Sequence, residues 1–304
     1  MVRCLGAPVQ SEVTMVQVQV QARASAAAGQ MTHEAWSPRT VSLAPVAAQG
    51  RLSDLLSIMG APIEDRRLCD AYLIPLRRVR AGVVLLHEGT RAESVYVVRF
   101  GTFKTLRVAE DGYEQVLGFS GQADVIGFDA LCSGAHPSSA VALEDAGVYA
   151  LPIRELDGLR QRVPSLDRAL QSALSAQLAG AAGIAEVMAA VASEARLARF
   201  LLQRSMRMAS LGQSARRLRL PMSRRDIASH LGVAHETVSR SFSELVNWGF
   251  VAVDNREVEI LDSDGLRGVA RNTRGCPDER GNETSHRRSR TRRATRACAS
   301  SASV

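Results

Sequence analysis

The sequence contains no long apolar run. None of the apolar segments in its 304 residues approaches the roughly 18 residues that a membrane-spanning helix needs. The N-terminus also lacks the basic-then-apolar pattern of a secretory signal. These absences argue against a membrane or secreted protein, and they predict a cytoplasmic location with no membrane partner.

Cysteine is scarce and scattered, and no two cysteines form a C-x-x-C pair. The odd count and the wide spacing argue against a disulfide framework and against a four-cysteine zinc or iron–sulfur site. Two of them, Cys69 and Cys132, are predicted to be small core residues. A redox-sensing thiol at Cys132 is the alternative. The five cysteines are Cys4, Cys69, Cys132, Cys276 and Cys298.

Groups of residues that perform covalent chemistry are also missing. The sequence offers no nucleophile–base pair, no paired carboxylates, no metal-ligand cluster and no phosphate-binding loop. We therefore expect a protein that is not an enzyme, with no catalytic residues and no metal site.

Positive charge is abundant but unevenly distributed. The net charge is +7, and six of these charges lie in residues 269–304, which hold nine arginines against three acidic residues. A second concentration, residues 204–240, holds eight arginines against Asp226 and Glu236. Such a local basic concentration is typical of the surroundings of a DNA-reading helix.

The stretch 221–249 reads as a helix-turn-helix. Ser223 is a suitable N-cap for a first helix, and Gly232 ends that helix and supplies a tight turn. A second helix is predicted from about His235 to Trp248. Its buried side is expected to carry Val238, Phe242, Leu245 and Val246.

Polar residues occupy the opposite side of the second helix. Glu236 and Arg240 are four residues apart, so they stand on one face. A carboxylate accepts from cytosine N4, and a guanidinium grips O6 and N7 of guanine. An intrahelical ion pair is the alternative reading of the two. The predicted DNA-contacting residues are Ser223, Arg224, His235, Glu236, Thr237, Ser239 and Arg240.

A β-hairpin is predicted to follow the second helix. Its strands are Phe250–Val253 and Val258–Leu261, joined by a turn at 254–256, and a strand at Arg216–Leu220 is expected to pair with it. Together these segments predict a winged helix-turn-helix.

The segment HETVSRSFSELVNWGFV, residues 235–251, resembles the recognition helix of the Crp/Fnr family of bacterial transcription regulators. The E-x-x-S-R pattern of Glu236, Ser239 and Arg240 is similar to the FNR branch, which reads TTGAT half-sites. The resemblance implies a transcription activator that contacts RNA polymerase directly. The loop from Glu110 to Glu114 is a candidate for that contact.

From Leu73 to about Pro152, glycines separate short strand-like segments, which indicates a β-sandwich or barrel. The spacing of Gly82, Gly89 and Gly101 is similar to the β-roll of cyclic-nucleotide-binding domains. The predicted strands are Val83–Leu86, Ser94–Arg99, Thr102–Val108, Gln115–Phe119 and Ala140–Leu151.

The effector pocket that this resemblance implies is degenerate. Cyclic-nucleotide binders carry a glutamate for the ribose and an arginine for the phosphate, where this chain has Phe128 or Asp129 and Ser138. A serine hydroxyl cannot balance a buried phosphate charge, so control by cyclic AMP is not expected. The residues of the degenerate pocket are Gly127, Phe128, Asp129, Ser138 and Ser139.

The FNR branch holds a 4Fe–4S cluster with N-terminal cysteines plus one in the β-roll. Here only Cys4 precedes residue 69, and Tyr149 aligns with the β-roll cysteine. We therefore predict that the cluster is absent and expect no cofactor. The signal stays open between haem, as in nitric-oxide or redox sensors of this family, a thiol switch and control by abundance. Possible haem ligands are His33, His87 and His136. A sensor with a non-transcriptional output is a further alternative.

Residues 164–191 predict one long helix with an apolar seam at an average spacing of 3.5, typical of a coiled coil. The family resemblance makes it a homodimerisation helix; the alternative is an ordinary core helix. The predicted fold is α+β. Its predicted parts are a disordered extension at 1–50, a β-roll sensor at 51–163, the dimerisation helix at 164–191, a winged helix-turn-helix at 192–268 and a disordered arginine-rich tail at 269–304. The natural start at Met1 or Met31 is left open.

Overall fold

A computed structural model describes residues 48–271 of the chain. The predictions for Cys4, Met31, His33, Cys276 and Cys298 lie outside these residues. Within them the fold is α+β, as the sequence predicts, with a β-roll followed by a long helix and a winged helix-turn-helix. No helix in this range is both long enough and apolar enough to cross a bilayer.

The N-terminal part is built from short antiparallel strands. They are β1 (Ala48–Arg51), β2 (Leu73–Val79), β3 (Val84–Leu86), β4 (Ser94–Phe100), β5 (Phe103–Val108), β6 (Glu114–Ser120), β7 (Val125–Ile126), β8 (Ser139–Ala142) and β9 (Ala146–Pro152). Its helices are α1 (Leu52–Ile58), α2 (Arg66–Ala71), α3 (Ala130–Ser133) and α4 (Ile153–Arg162).

These strands form two sheets. One sheet has the order β1-β2-β9-β4-β7 and the other the order β3-β8-β5-β6. Side chains from both sheets form a shared core, with Val98, Phe103 and Val148 fully buried. A second core lies between the five-stranded sheet and the helices α1, α2 and α4. The turn between β4 and β5 requires glycine, because Gly101 has a φ of +86° and a Cβ there would lie 2.5 Å from that of Ala146.

Several boundaries differ from the sequence prediction. Ala48–Gly50, predicted disordered, belongs to β1 and pairs with β2. The single strand predicted at Ala140–Leu151 is two strands, β8 and β9, in different sheets. The strands β2 and β7 and the helices α3, α4 and α9 were not predicted. A two-residue strand such as β7 has no measurable periodicity, and α4 follows β9 with no residue between them.

The long helix α5 runs over 26 residues, Pro164–Ala189. Proline is tolerated in its first turn, where a backbone donor is unpaired in any case. Leu166 and Leu170 are fully buried against the β-roll, whereas Leu178 is 66% exposed. The helix therefore packs on its own chain at its start and leaves most of its length uncovered.

The C-terminal part begins after a short break at 190–192. Its elements are α6 (Ser193–Ser210), β10 (Arg217–Arg219), α7 (Arg224–Leu231), α8 (His235–Asn247), β11 (Val251–Asp254), β12 (Glu257–Ile260) and α9 (Ser263–Arg271). The strand at 216–220 pairs with the hairpin as predicted, since β10 pairs with β12. Helix α9 extends the ordered structure beyond Gly268, so the prediction of disorder from residue 269 is wrong for 269–271.

The core of this part joins α6, α7, α8 and the hairpin. Leu197, Phe200 and Leu201 from α6 are almost completely buried. Val246 is 42% exposed, so its predicted place on the buried side of α8 is wrong. Ser241 is buried instead, and its hydroxyl lies 3.0 Å from that of Ser193.

Candidate nucleic-acid interface

Helix α7 begins with a capping box. The Ser223 hydroxyl accepts a hydrogen bond from the Asp226 amide at 3.1 Å, and the Asp226 carboxylate accepts one from the Ser223 amide at 2.9 Å. Two otherwise unpaired amides of the first turn are thereby satisfied. The helix ends at Gly232, whose φ of +62° is left-handed. The predicted cap and turn of the helix-turn-helix are therefore present.

Helix α8 separates its apolar and polar residues by face. Val238, Phe242 and Leu245 are buried in the domain core, whereas Glu236 and Arg240 are exposed. No ion pair joins Glu236 to Arg240 among the residues that the structure describes. The Arg240 guanidinium is thus available to an external acceptor.

The remaining predicted DNA-contacting residues differ in their exposure and in the contacts that they already make within the protein. His235 and Ser239 are exposed, and Thr237 is half-buried. The guanidinium of Arg224 lies 3.5 Å from the centre of the Phe242 ring, and burial lowers its pKa. The Ser223 hydroxyl is already engaged in the capping box, where it also donates to the Asp226 carboxylate at 2.6 Å. Ser223 and Arg224 therefore support the two helices, and their phosphate contacts stay a prediction.

The outer face of α7 contacts the β-roll, a feature that sequence reasoning missed. Lys104 on β5 donates to the Asp226 carboxylate at 2.8 Å and to Glu114 at 3.2 Å. Burial alone would raise the pKa of Asp226, but hydrogen bonds from Lys104 and Ser223 bring it below its ordinary value. The capping carboxylate of the helix-turn-helix is thus shared with the sensor part of the chain.

The predicted effector pocket corresponds to a small cavity in the β-roll. Its volume is about 170 Å³, below the roughly 300–1,000 Å³ of common ligand pockets. Four of the five predicted residues line it: Gly127, Phe128, Asp129 and Ser138. Ser139 does not, since its hydroxyl accepts from the Glu88 amide at 2.9 Å. Asp129 is the one charged lining residue, and its negative charge would repel a phosphate.

The candidate signal-sensing residues differ in how exposed they are. His87 is exposed, whereas His136 is only 5% exposed. Burial lowers the pKa of His136. Cys69 is buried as predicted, but Cys132 is exposed on α3, so its predicted place in the core is wrong.

Two family models match the chain. Residues 76–163 match a cyclic nucleotide-binding domain, and residues 195–269 match a Crp-like helix-turn-helix domain. The first covers most of the β-roll and the second covers α7, α8 and the hairpin. This combination defines a class of protein in which a β-roll sensor is joined to a helix-turn-helix that binds DNA.

Characterised relatives narrow the class. The chain is 36% identical over 196 residues to the fumarate and nitrate reduction regulatory protein of Salmonella typhimurium, covering 64% of this chain and 78% of the relative. It is 34% identical over 232 residues to the transcriptional regulatory protein btr of Bordetella pertussis, covering 75% and 96%. Among solved structures, FixK2 from Bradyrhizobium japonicum matches with a TM-score of 0.59 and 26% identity, over 68% of this chain and all of that one.

The chain therefore belongs to the Crp/Fnr family of transcription regulators. It is a DNA-binding regulator and not an enzyme. The exposed polar face of α8 is its candidate DNA-reading surface.

Proposed function

We propose that this regulator binds an inverted repeat of the TTGAT-N4-ATCAA type as a cytoplasmic homodimer, without an iron–sulfur cluster and without cyclic AMP. The reading residues are Glu236, Ser239 and Arg240. The observation that carries the proposal is the exposed polar face at the start of α8, in which the Arg240 guanidinium has no partner among the residues described.

The position of these residues on the helix supports base reading. Recognition helices contact base edges through their N-terminal residues. Glu236 and Arg240 lie in the first two turns of α8, which begins at His235. A bidentate contact from Arg240 to guanine and an acceptor at Glu236 for cytosine suit the G·C pair of the half-site.

The uncovered length of α5 supports the homodimer. Leu174, Leu178 and Met188 lie on one seam and are 37%, 66% and 38% exposed. Apolar side chains repeated along one helix face are covered when a second copy of the helix packs on them. Such a dimer places two copies of α8 on successive turns of DNA and so requires an inverted repeat.

The β-roll supports the proposed lack of cyclic-nucleotide control. An incoming phosphate would face Asp129 and the Ser138 hydroxyl in a cavity of about 170 Å³. The proposed lack of a cluster rests on the cysteines: Tyr149 is fully buried where the family resemblance places a ligand. Contact with RNA polymerase through the exposed loop from Glu110 to Glu114 remains part of the proposal. The predicted parts at 51–163, 164–191 and 192–268 also remain part of it.

The proposal is tested by fluorescence anisotropy with a labelled TTGAT-N4-ATCAA duplex and a scrambled duplex of the same composition. The wild type should prefer the repeat. Arg240→Ala should lose about 5- to 150-fold in affinity for each half-site of the repeat, because one bidentate contact contributes about 1–3 kcal/mol. Arg267→Ala is the matched control, since Arg267 is an exposed arginine of α9 paired with Asp264.

Equal affinity of the wild type for both duplexes would remove the operator assignment. An unchanged affinity in Arg240→Ala would remove the reading role of α8. Loss of binding in Arg267→Ala to the same extent as in Arg240→Ala would reduce the interaction to general attraction between positive charge and phosphate.

A further inference from the structure

The helix-turn-helix is held against the β-roll by a defined set of contacts, which we call the β6–α7 interface: Lys104, Glu114, Gln115, Val116 and Phe119 against Asp226, Ser229 and His230. Every residue of α7 from Asp226 to Leu231 is buried. Ile227, Ala228 and Leu231 belong to the core of the DNA-binding part. The β-roll therefore covers the other face of the helix.

Ser229 forms the polar half of this interface. Its hydroxyl accepts from the Val116 amide at 2.9 Å and donates to the Glu114 carbonyl at 2.8 Å. Its carbonyl accepts from the Gln115 side chain at 2.8 Å. Strand β6 is thus hydrogen-bonded to the first helix of the helix-turn-helix, and these bonds break if the two parts separate.

His230 forms the aromatic half. Its ring centre lies 5.1 Å from that of Phe119 on β6 and 5.8 Å from that of Phe200 on α6, both in edge arrangements. The side chain is 8% exposed, and its Nδ1 has no hydrogen-bond partner within the described part of the chain. A neutral imidazole fits this apolar cage, whereas an imidazolium would be a desolvated cation there.

The charges around His230 disfavour its protonation further. Burial is the largest cause that lowers the pKa of His230, and the positive charge of Arg204 on α6 lowers it further. A hydrogen bond with the Val116 backbone raises the pKa and partly offsets these two effects. From β6 the ring is faced by Phe119 and the Val116 backbone. Asp124, after β6, is held by Arg207 and is also within electrostatic reach of Arg204. On α7 itself, Asp226 is paired with Lys104.

The docked arrangement leaves the DNA-reading face open. His235, Glu236, Ser239 and Arg240 are exposed while Asp226, Ser229 and His230 are covered. The β-roll thus contacts the helix-turn-helix on a side away from the DNA-reading face. This contact fixes the direction in which the reading face points. A dimer that must place two such faces one DNA turn apart depends on this fixed direction.

We propose that the β6–α7 interface is a proton-sensitive positioning contact: protonation of His230 releases the helix-turn-helix from the β-roll and weakens binding to the inverted repeat. The release is a property of the chain itself. Its effect on DNA binding rests on the function proposed above.

The direction of the pH dependence follows from proton linkage. Burial holds the pKa of His230 below its ordinary 6.5, and the released state restores the ordinary value. Above pH 6.5 both states hold a neutral ring and the contact is closed. As the pH falls below 6.5 the released state takes up a proton that the docked state resists. One linked proton shifts the equilibrium toward release by up to about tenfold per pH unit.

Other groups of the interface titrate with different signs or in different ranges. The pKa of Asp226 lies below its ordinary value, so its contribution to docking is lost only near and below pH 3.8. The pKa of Lys104 is raised above 10.5 because hydrogen bonds to Asp226 and Glu114 outweigh burial, so its contribution is lost only in strong base. Burial raises the pKa of Asp124, which favours docking as the pH falls and so opposes His230.

Amide hydrogen exchange tests the release directly in the full chain without DNA. The Val116 amide, bound to Ser229, reports whether the interface is closed. Between pH 7.5 and 5.5 its protection factor, corrected for intrinsic exchange, should fall in the wild type by up to about tenfold, because the linked proton is taken up only below about pH 6.5. His230→Phe should remove this dependence, because phenylalanine fills the aromatic cage and takes no proton.

Three further variants make the exchange result decisive. His87→Gln, at an exposed histidine of the β-roll, should behave as the wild type. Asp124→Asn should keep or steepen the fall. His230→Gln serves if phenylalanine disturbs folding, and it too should be insensitive to pH. Protection that is constant in the wild type, or that falls equally in both His230 variants, overturns the proposal.

Anisotropy with the TTGAT-N4-ATCAA duplex then tests the consequence for DNA. Affinity should fall from pH 7.5 to 5.5 more steeply in the wild type and His87→Gln than in His230→Phe. The protection of the Val116 amide could change with pH while the affinities of the wild type and His230→Phe depend on pH equally. That result would overturn the coupling of the release to DNA binding. If no form of the protein prefers the repeat, the proposed operator is wrong, while the exchange result still decides the release.

Discussion

The two candidate binding regions of this molecule, the recognition helix α8 and the β-roll cavity, differ in what their polar groups are free to do. On α8 the charged groups Glu236 and Arg240 are exposed and unpaired with each other. In the cavity, Ser138 is 4% exposed and the charged group is the carboxylate of Asp129. Helix α8 thus presents an exposed guanidinium to the phosphates and bases of DNA. The described lining of the cavity has no positive group for an anionic effector.

This difference teaches that the residues of one chain can identify its DNA-binding surface clearly without identifying the signal to which it responds. Reading DNA requires side chains that reach out from a rigid helix, and α8 owes its rigidity to a buried apolar face. Binding a cyclic nucleotide calls for a positive group beside its phosphate, and the cavity lining formed by the described residues includes none. The DNA-binding role therefore follows from this chain, whereas the nature of its signal does not follow from the cavity.

The largest effect is expected from destroying the apolar support of α8. Phe242→Ala should cost about 3–5 kcal/mol of unfolding free energy, because a 4%-exposed ring is removed and Arg224 loses the ring on which it stacks. Urea denaturation measures the loss. Val246→Ala, at a 42%-exposed position of the same helix, should change stability by no more than about 0.5 kcal/mol. Similar costs at both positions would contradict the assignment of the buried face.

The next effect concerns the uncovered seam of α5. Leu178→Glu should weaken the dimer by about 1–3 kcal/mol or more, because the dimer would bury a carboxylate without a partner. Sedimentation velocity measures the shift toward monomer. Leu73→Glu, at a 51%-exposed position of β2, should leave the oligomeric state unchanged. A Leu178→Glu protein that stays as dimeric as the wild type would place the dimer contact elsewhere.

A smaller effect is expected from the cap of α7. Ser223→Ala should cost about 0.5–2 kcal/mol of unfolding free energy, because the Asp226 amide loses its acceptor. Thermal and urea denaturation both report it. Ser175→Ala, in the exposed middle of α5, should be neutral or slightly stabilising because alanine is the better helix former. A neutral Ser223→Ala would mean that the capping box adds nothing to stability.

The smallest effect is expected at the cavity. Cyclic AMP should leave the melting temperature unchanged, because a ligand stabilises a protein only by binding its folded state, and Asp129 repels the phosphate. The operator duplex, in a parallel scan, should raise it. A rise with cyclic AMP that grows with its concentration would show that the cavity accepts the phosphate, and the two regions would no longer differ as described.

Local sequence signals predicted much of this structure. The cap at Ser223, the turn at Gly232 and the apolar face of α8 involve residues within a few positions of one another, so the sequence displays them directly. The strands β3 to β6 were predicted because glycines separate them. The long helix followed from its apolar spacing. These features depend on local backbone preferences and on periodicity.

Contacts between distant segments were beyond such reasoning. Lys104 and Asp226 are separated by 122 positions in the sequence, so no local sequence pattern predicts their ion pair. His230 lies in the last turn of a capped helix, and the residues around it in the sequence do not predict that Phe119 from β6 covers it. Cys132 was wrongly predicted to be buried for the same reason. Its exposure depends on how α3 sits on the sheets, which the neighbouring residues do not specify.

The most direct measurement of the central claim combines a protein change with a base change. Affinities of the wild type and Arg240→Ala would be compared on the TTGAT-N4-ATCAA repeat and on a repeat with the half-site G·C pairs exchanged for A·T. Our account predicts that the exchange costs the wild type about 1–3 kcal/mol for each contacted pair and costs Arg240→Ala less, because only the Glu236 contact to cytosine is left to lose. An equal cost in both proteins would contradict it, since the guanine would then be read by another residue.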